Sequence, residues 1–145
     1  MSGIEIVFEN EYELLVFETA MIESSDMIDC REMDYGDVTD REREFQLVHT
    51  EIGDRAQRFR AATEEYPVTL TIRGQGQDAR LEAVSMIASL IEQRAIAERV
   101  GVPDGHEKAV VIDTLSALAE QVNEQCEIDV ISGVHIEFPY GEDGK

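Results

Sequence analysis

A chain of 145 residues with 43% hydrophobic content is one domain by size, long enough to bury a core without staples, and its composition excludes a disordered segment. Thirty-two acids face twelve bases, for a formal charge of −20, and only Lys108 and Lys145 among the bases are lysines. Two cysteines, Cys30 and Cys126, make no disulfide framework and have no metal-type spacing, so both read as reduced, partly buried thiols.

Ile4, Ile6 and Phe8 alternate with Glu5 and Glu9, the pattern of a short strand with one buried face. Asn10 with Glu13 three residues on fits a helix N-cap. Tyr12 to Glu23 then reads as a helix with Leu14, Phe17 and Met21 on one side, although Leu15-Val16-Phe17 also permits a strand. Ser24 to Asp40 is polar and acidic, with a turn signal at Tyr35-Gly36-Asp37, and reads as a long surface connection. Phe45, Leu47 and His49 alternate with polar neighbours, which predicts a strand ending near Gly53. Tyr66 to Arg73 alternates Val68, Leu70 and Ile72 with Thr69 and Thr71, the habit of an antiparallel strand with one solvated face.

Gly74-Gln75-Gly76 turns the chain into a helix from Asp78 to Arg99, with Leu81, Val84, Ile87, Ala88, Ile91 and Ala95 as its apolar stripe. Gly101 and Pro103 stop it. Asp104 and Glu107 read as a capping box for a further helix to Asn123, with Val111, Leu115, Leu118 and Val122 inside. Ile128 and Val130, then Val134, Ile136 and Phe138, predict closing strands, and residues 141–145 a mobile tail. The order carries no internal repeat. It predicts a single α+β domain over residues 1–145, a mainly antiparallel sheet with two or three helices packed on one face.

The charge is the most telling feature. At ordinary ionic strength the Debye length is about 8 Å, and this much like charge repels itself across the surface; in molar salt it falls to about 3 Å. Hydrated carboxylates keep a protein soluble in brine, and arginine keeps a short-range bidentate geometry that screening weakens little. Acid-rich and lysine-poor together predict a salt-saturated cytoplasm. The acids run from Glu5 to Asp143 with no pure block, unlike the stripe expected of a DNA mimic. Asp26, Asp29, Asp34, Asp37 and Asp40 lack the spacing of a calcium loop. Glu5, Glu9, Glu11 and Glu13 stand where a secretion signal needs bases and an apolar run, and the apolar stretch Ala83–Ile91 is too short to span a bilayer, so the expectation is a protein that acts in the cytoplasm or in a particle assembled there.

No motif predicts chemistry. Gly74-Gln75-Gly76-Gln77-Asp78-Ala79 matches a dinucleotide fingerprint, but the strand before it alternates and Asp78 would set a carboxylate beside the pyrophosphate, so no cofactor is expected. His49, His106 and His135 are scattered, and Ser85, Ser89 and Ser116 fall on helices without an elbow motif, so no enzyme is expected. Arg55, Arg58 and Arg60 form a cationic island around Phe59, with no acid from residue 55 to 63. It either balances carboxylates within the fold or docks an acidic neighbour, and it is too small for independent DNA affinity in high salt.

From about Phe45 to Arg99, a strand pair entering Tyr66-Pro67-Val68-Thr69-Leu70-Thr71-Ile72-Arg73, a Gly turn and an Asp78-Ala79-Arg80 helix start resemble the small tail-terminator or neck proteins of tailed viruses. The resemblance covers roughly a third of the chain and uses no invariant motif. It implies a non-enzymatic virion component of a virus of salt-loving archaea, a homo-oligomeric ring at the head–tail junction or tail end. Its partners would be itself, neighbouring virion proteins and passively DNA in a channel, with no membrane. A cellular halophilic regulatory or adaptor protein that binds another protein is the alternative.

Overall fold

A computed structural model describes residues 4–35, 39–72 and 79–126, without the side chains of 30–35, 41, 79–81 and 126. The first strand, β1 (Ile4–Phe8), follows its alternation: Ile4, Ile6 and Phe8 are fully buried while Glu5 and Val7 face outward. Asn10 Oδ1 then accepts from the Glu13 N–H at 3.0 Å, and the Glu13 carboxylate accepts from the Glu9 N–H at 2.7 Å, fixing the start of α1 (Glu11–Tyr35). Leu14, Phe17 and Met21 are buried as their helical spacing requires.

Two expectations fail in the next stretch. The acidic segment after Ser24 is not a surface connection, because α1 continues through it to Tyr35. The alternation of Phe45, Leu47 and His49 is not a strand, because these residues lie in α2 (Asp40–Ala62). Thr39 and Glu42 form a reciprocal capping box at its start. The decisive period is 3.6: Phe45, Val48, Ile52 and Ala56 are buried, while Leu47, which a strand would place beside Phe45, is 70% exposed. The two helices close tightly where Gly53 stands, since a Cβ there would lie 3.1 Å from Ile22 Cγ1. Across the same seam Arg60 forks onto Glu18, and Ser25 bonds Thr50 at 2.7 Å.

The second strand, β2 (Val68–Ile72), pairs antiparallel with β1 in the register Ile4↔Ile72, Ile6↔Leu70, Phe8↔Val68. Leu70 and Ile72 are buried beneath exposed Thr69 and half-buried Thr71, so the sheet has one packed and one solvated face. The third helix, α3 (Ala79–Arg99), is buried at every position from Glu82 to Leu90. That is the signature of a central helix rather than a surface one. It ends on Gly101, which takes φ +117° and donates to Ile96 O at 3.3 Å. The last described helix, α4 (Lys108–Cys126), begins after Asp104 and Glu107 and buries Leu115, Leu118 and Val122.

The fold class is therefore corrected. Among the described residues the protein is helix-rich, with four long helices around a two-stranded antiparallel sheet, and it is not mainly sheet. The closing strands predicted around Ile128 to Phe138, the 141–145 tail and the Gly74–Gly76 turn lie outside the described residues. The architecture also carries a repetition: β-α-α occurs twice, each strand followed by a helix pair.

Helices flank both edges of the small sheet. Gln121 and Gln125, one turn apart on α4, bond the outer edge of β1: their carbonyls accept from the Val7 and Glu5 N–H groups at 2.8 Å each, and their amides donate to the Val7 and Glu5 carbonyls at 2.9 and 2.5 Å. On the opposite edge Arg55 of α2 donates to the Thr71 carbonyl of β2 at 3.3 Å.

Candidate functional site: an apolar cleft beside the α3–α4 connection

Among the described residues the elements create a half-open cleft of about 480 Å³. One wall is the face of α1 carrying Tyr12, Leu15, Val16 and Thr19; the opposite wall is the last turns of α3, from Gln93 to Val100. The non-helical connection through Val102, Pro103 and His106 closes one end, with Val111 and Leu115 of α4 behind it. Tyr12 Oη and His106 Nδ1 are hydrogen-bonded at 2.9 Å with their rings 5.7 Å apart, so the connection is tied across to the start of α1. Val100 stands at the mouth, 83% exposed. Glu23 is the single carboxylate of the lining, in a chain where 32 of 145 residues are acidic, which makes the cleft a low-charge opening on a heavily charged surface.

The polar side chains of the lining are Tyr12, Thr19, Glu23, Gln93 and His106, set among aliphatic ones. The lining holds no cysteine, serine or lysine, and no described carboxylate orients His106 as a base would require. No group of three or more metal-ligating side chains occurs among the described residues. Asp29 of the acidic stretch instead lies 3.0 Å from Arg43, and hydrogen bonds from Gln46 and Arg43 hold its carboxyl below the usual carboxylate range.

The predicted arginine island does not remain one surface. Arg60 turns inward: its Nε lies 2.7 Å and its Nη2 3.4 Å from the Glu18 oxygens, and Nη1 reaches Glu11 at 3.5 Å. The Glu18 bonds and charge raise its pKa further. Arg55 is engaged with the edge of β2, and Arg58 points to solvent. Two of the three arginines thus serve contacts within the fold.

The histidines are equally separate. His49 is 6% exposed, donates through Nε2 to the Ser85 carbonyl at 2.8 Å, and keeps Nδ1 without a described partner. Burial pushes its pKa below the ordinary 6.5. His106 belongs to the cleft, and His135 lies outside the described residues, as do the side chains of Cys30 and Cys126. Ser89 sits in the interior, bonded to Ser24 at 2.7 Å and to the Ala20 carbonyl at 2.9 Å, while Ser116 accepts from Arg94. These are structural positions on α3 and α4. No described helix is long and apolar enough to cross a membrane. No known protein family, curated protein or solved structure matches the chain.

Proposed function

We propose that this chain is a non-catalytic assembly subunit that works in concentrated salt, a homo-oligomeric ring component at the head–tail junction or tail end of a tailed virus of a salt-loving archaeon. The cleft supports the assembly half of this reading: it is a low-charge opening on a chain of net charge −20, where two such acidic bodies can meet with little repulsion. Molar salt both screens the remaining charge and strengthens apolar contact there.

The ring half rests on charge and on the resemblance, and that resemblance has lost one leg. The strand expected around residues 45–49 is helical, so the strand pair entering Tyr66 is not available as support. The cellular adaptor reading keeps its place for that reason. Size-exclusion chromatography with light scattering, in molar potassium chloride over a hundredfold concentration range, separates the two. A closed oligomer of fixed size is expected; a strict monomer throughout sinks the assembly reading. Circular dichroism after dialysis into dilute buffer tests the salt requirement, and a fully folded, equally stable protein there removes the halophilic half.

A further inference from the structure

We infer that the α1–α3–α4 cleft binds a small aromatic amine, its ring lying where the other half of a two-fold fold places its own side chains. The inference rests on the fold and not on the assembly reading, and it holds for a single copy.

The β-α-α repetition is a two-fold one. The strand register pairs Ile6 with Leu70, and a half-turn about that pair carries Val7 onto Thr71. The same half-turn carries one edge contact onto the other: the Val7 carbonyl accepts from Gln121 of α4 at 2.9 Å, and the Thr71 carbonyl from Arg55 of α2 at 3.3 Å. Arg55 and Gln121 are thus counterparts. At their offset His49 matches Leu115, Ile52 matches Leu118 and Ala56 matches Val122, all six of them buried. Each strand is held at its outer edge by the last helix of the opposite half.

That offset also sets α1 on α3, with Thr19 against Ser85 and Ala20 against Met86. In one half His49 Nε2 reaches the Ser85 carbonyl at 2.8 Å across the α2–α3 seam; in the other, Leu115 and Thr19 both line the cleft. The cleft therefore occupies the place of that seam. The two differ in the size of what fills them. Phe45 and Met86 are buried in the seam, the Phe45 ring 6.1 Å from that of His49. Their counterparts in the cleft are Val111 and Ala20, so small aliphatic groups stand where the other half has a phenyl ring and a thioether chain. A volume of about 480 Å³ lined by aliphatic side chains takes one aromatic ring with a short substituent.

The sign of the lining selects the substituent. Glu23 is its carboxylate, one turn from Ala20 on α1, within reach of an ammonium group two carbons from a ring seated at Ala20 and Val111. The exposed neighbours of the α3–α4 connection do not reverse that sign, because Glu98, Asp104 and Glu107 outnumber Arg99 and Lys108.

The test is isothermal titration calorimetry on the full chain in molar salt with two probes that share a ring, tryptamine and indole-3-acetate. Wild type is expected to bind the cation about 3- to 10-fold more tightly than the anion. Val111→Phe and Ala20→Met, which install the counterpart side chains, should each raise Tm and abolish binding of both probes. Glu23→Gln, at an exposed position, should keep ring binding and bring the two affinities together. Circular dichroism checks the fold of each variant. Equal affinity of wild type for both probes overturns the choice of an amine, and binding unchanged in a folded filled variant overturns the placement of the ring. No binding of either probe at millimolar concentration overturns the site.

Discussion

Replacing Gln121 and Gln125 together by alanine removes four hydrogen bonds from the outer edge of β1, and with them one bond along α4 from the Gln125 amide to the Gln121 carbonyl. An intramolecular hydrogen bond contributes about 0.5–1.5 kcal/mol net, and water can reach the exposed strand, so the lower half of that range applies. The double variant should then lose about 2–4 kcal/mol, which for a domain of this size lowers Tm by about 8–16 °C. Thermal melts followed by circular dichroism in molar salt measure the loss. Amide hydrogen exchange localises it. The Glu5 and Val7 amides should exchange fast in the variant, whereas Ile6, whose amide faces β2 by the alternation of an antiparallel pair, should remain protected. A Tm within about 2 °C of wild type, with Glu5 and Val7 still protected, would refute the bonding described for this edge.

Two further perturbations follow from the interior. His49 is buried with its pKa depressed below 6.5, so the unfolded chain takes up a proton that the folded one resists. Its contribution is fully present above about pH 6.5 and is lost as the pH falls toward the lower folded value; Tm should drop between pH 7 and pH 5, and a His49→Gln variant should lack that part of the slope. Arg60→Ala strands Glu18, whose side chain is only 7% exposed, without its forked partner, and should cost about 2–3 kcal/mol in denaturant melts. An Arg60→Ala variant as stable as wild type would mean that the pair contributes nothing to the α1–α2 seam.

The strands and late helices were legible because their residues repeat with one clean period. Ile4, Ile6 and Phe8, and likewise Leu70 and Ile72, point one way and are buried, while Leu115, Leu118 and Val122 recur at helical spacing. The failure came where two periods overlap. Phe45, Leu47 and His49 satisfy a two-residue alternation, and only the exposure of Leu47 shows that Phe45, Val48 and Ile52 carry the true pattern. Residues 24–35 misled for a different reason. Their polarity reads as solvent contact, yet Ser24 and Ser25 are buried in hydrogen bonds to Ser89 and Thr50. The candidate cleft had no local signal, since Leu15, Ile96 and Val111 come from three elements and each reads as ordinary core. Arg60 was visible as a cation, but its partner Glu18 stands 42 positions away.

The way β1 is finished bears on how such a chain avoids clumping. An unpaired strand border is a template for stray chains, and proteins commonly guard it with charged side chains, lysine above all. In brine that guard fails, because repulsion fades within about 3 Å. Here two neutral amides occupy the border by direct contact, a lock whose strength does not fade with ionic strength. The strand thus stays closed to intruders under the very conditions that most favour precipitation.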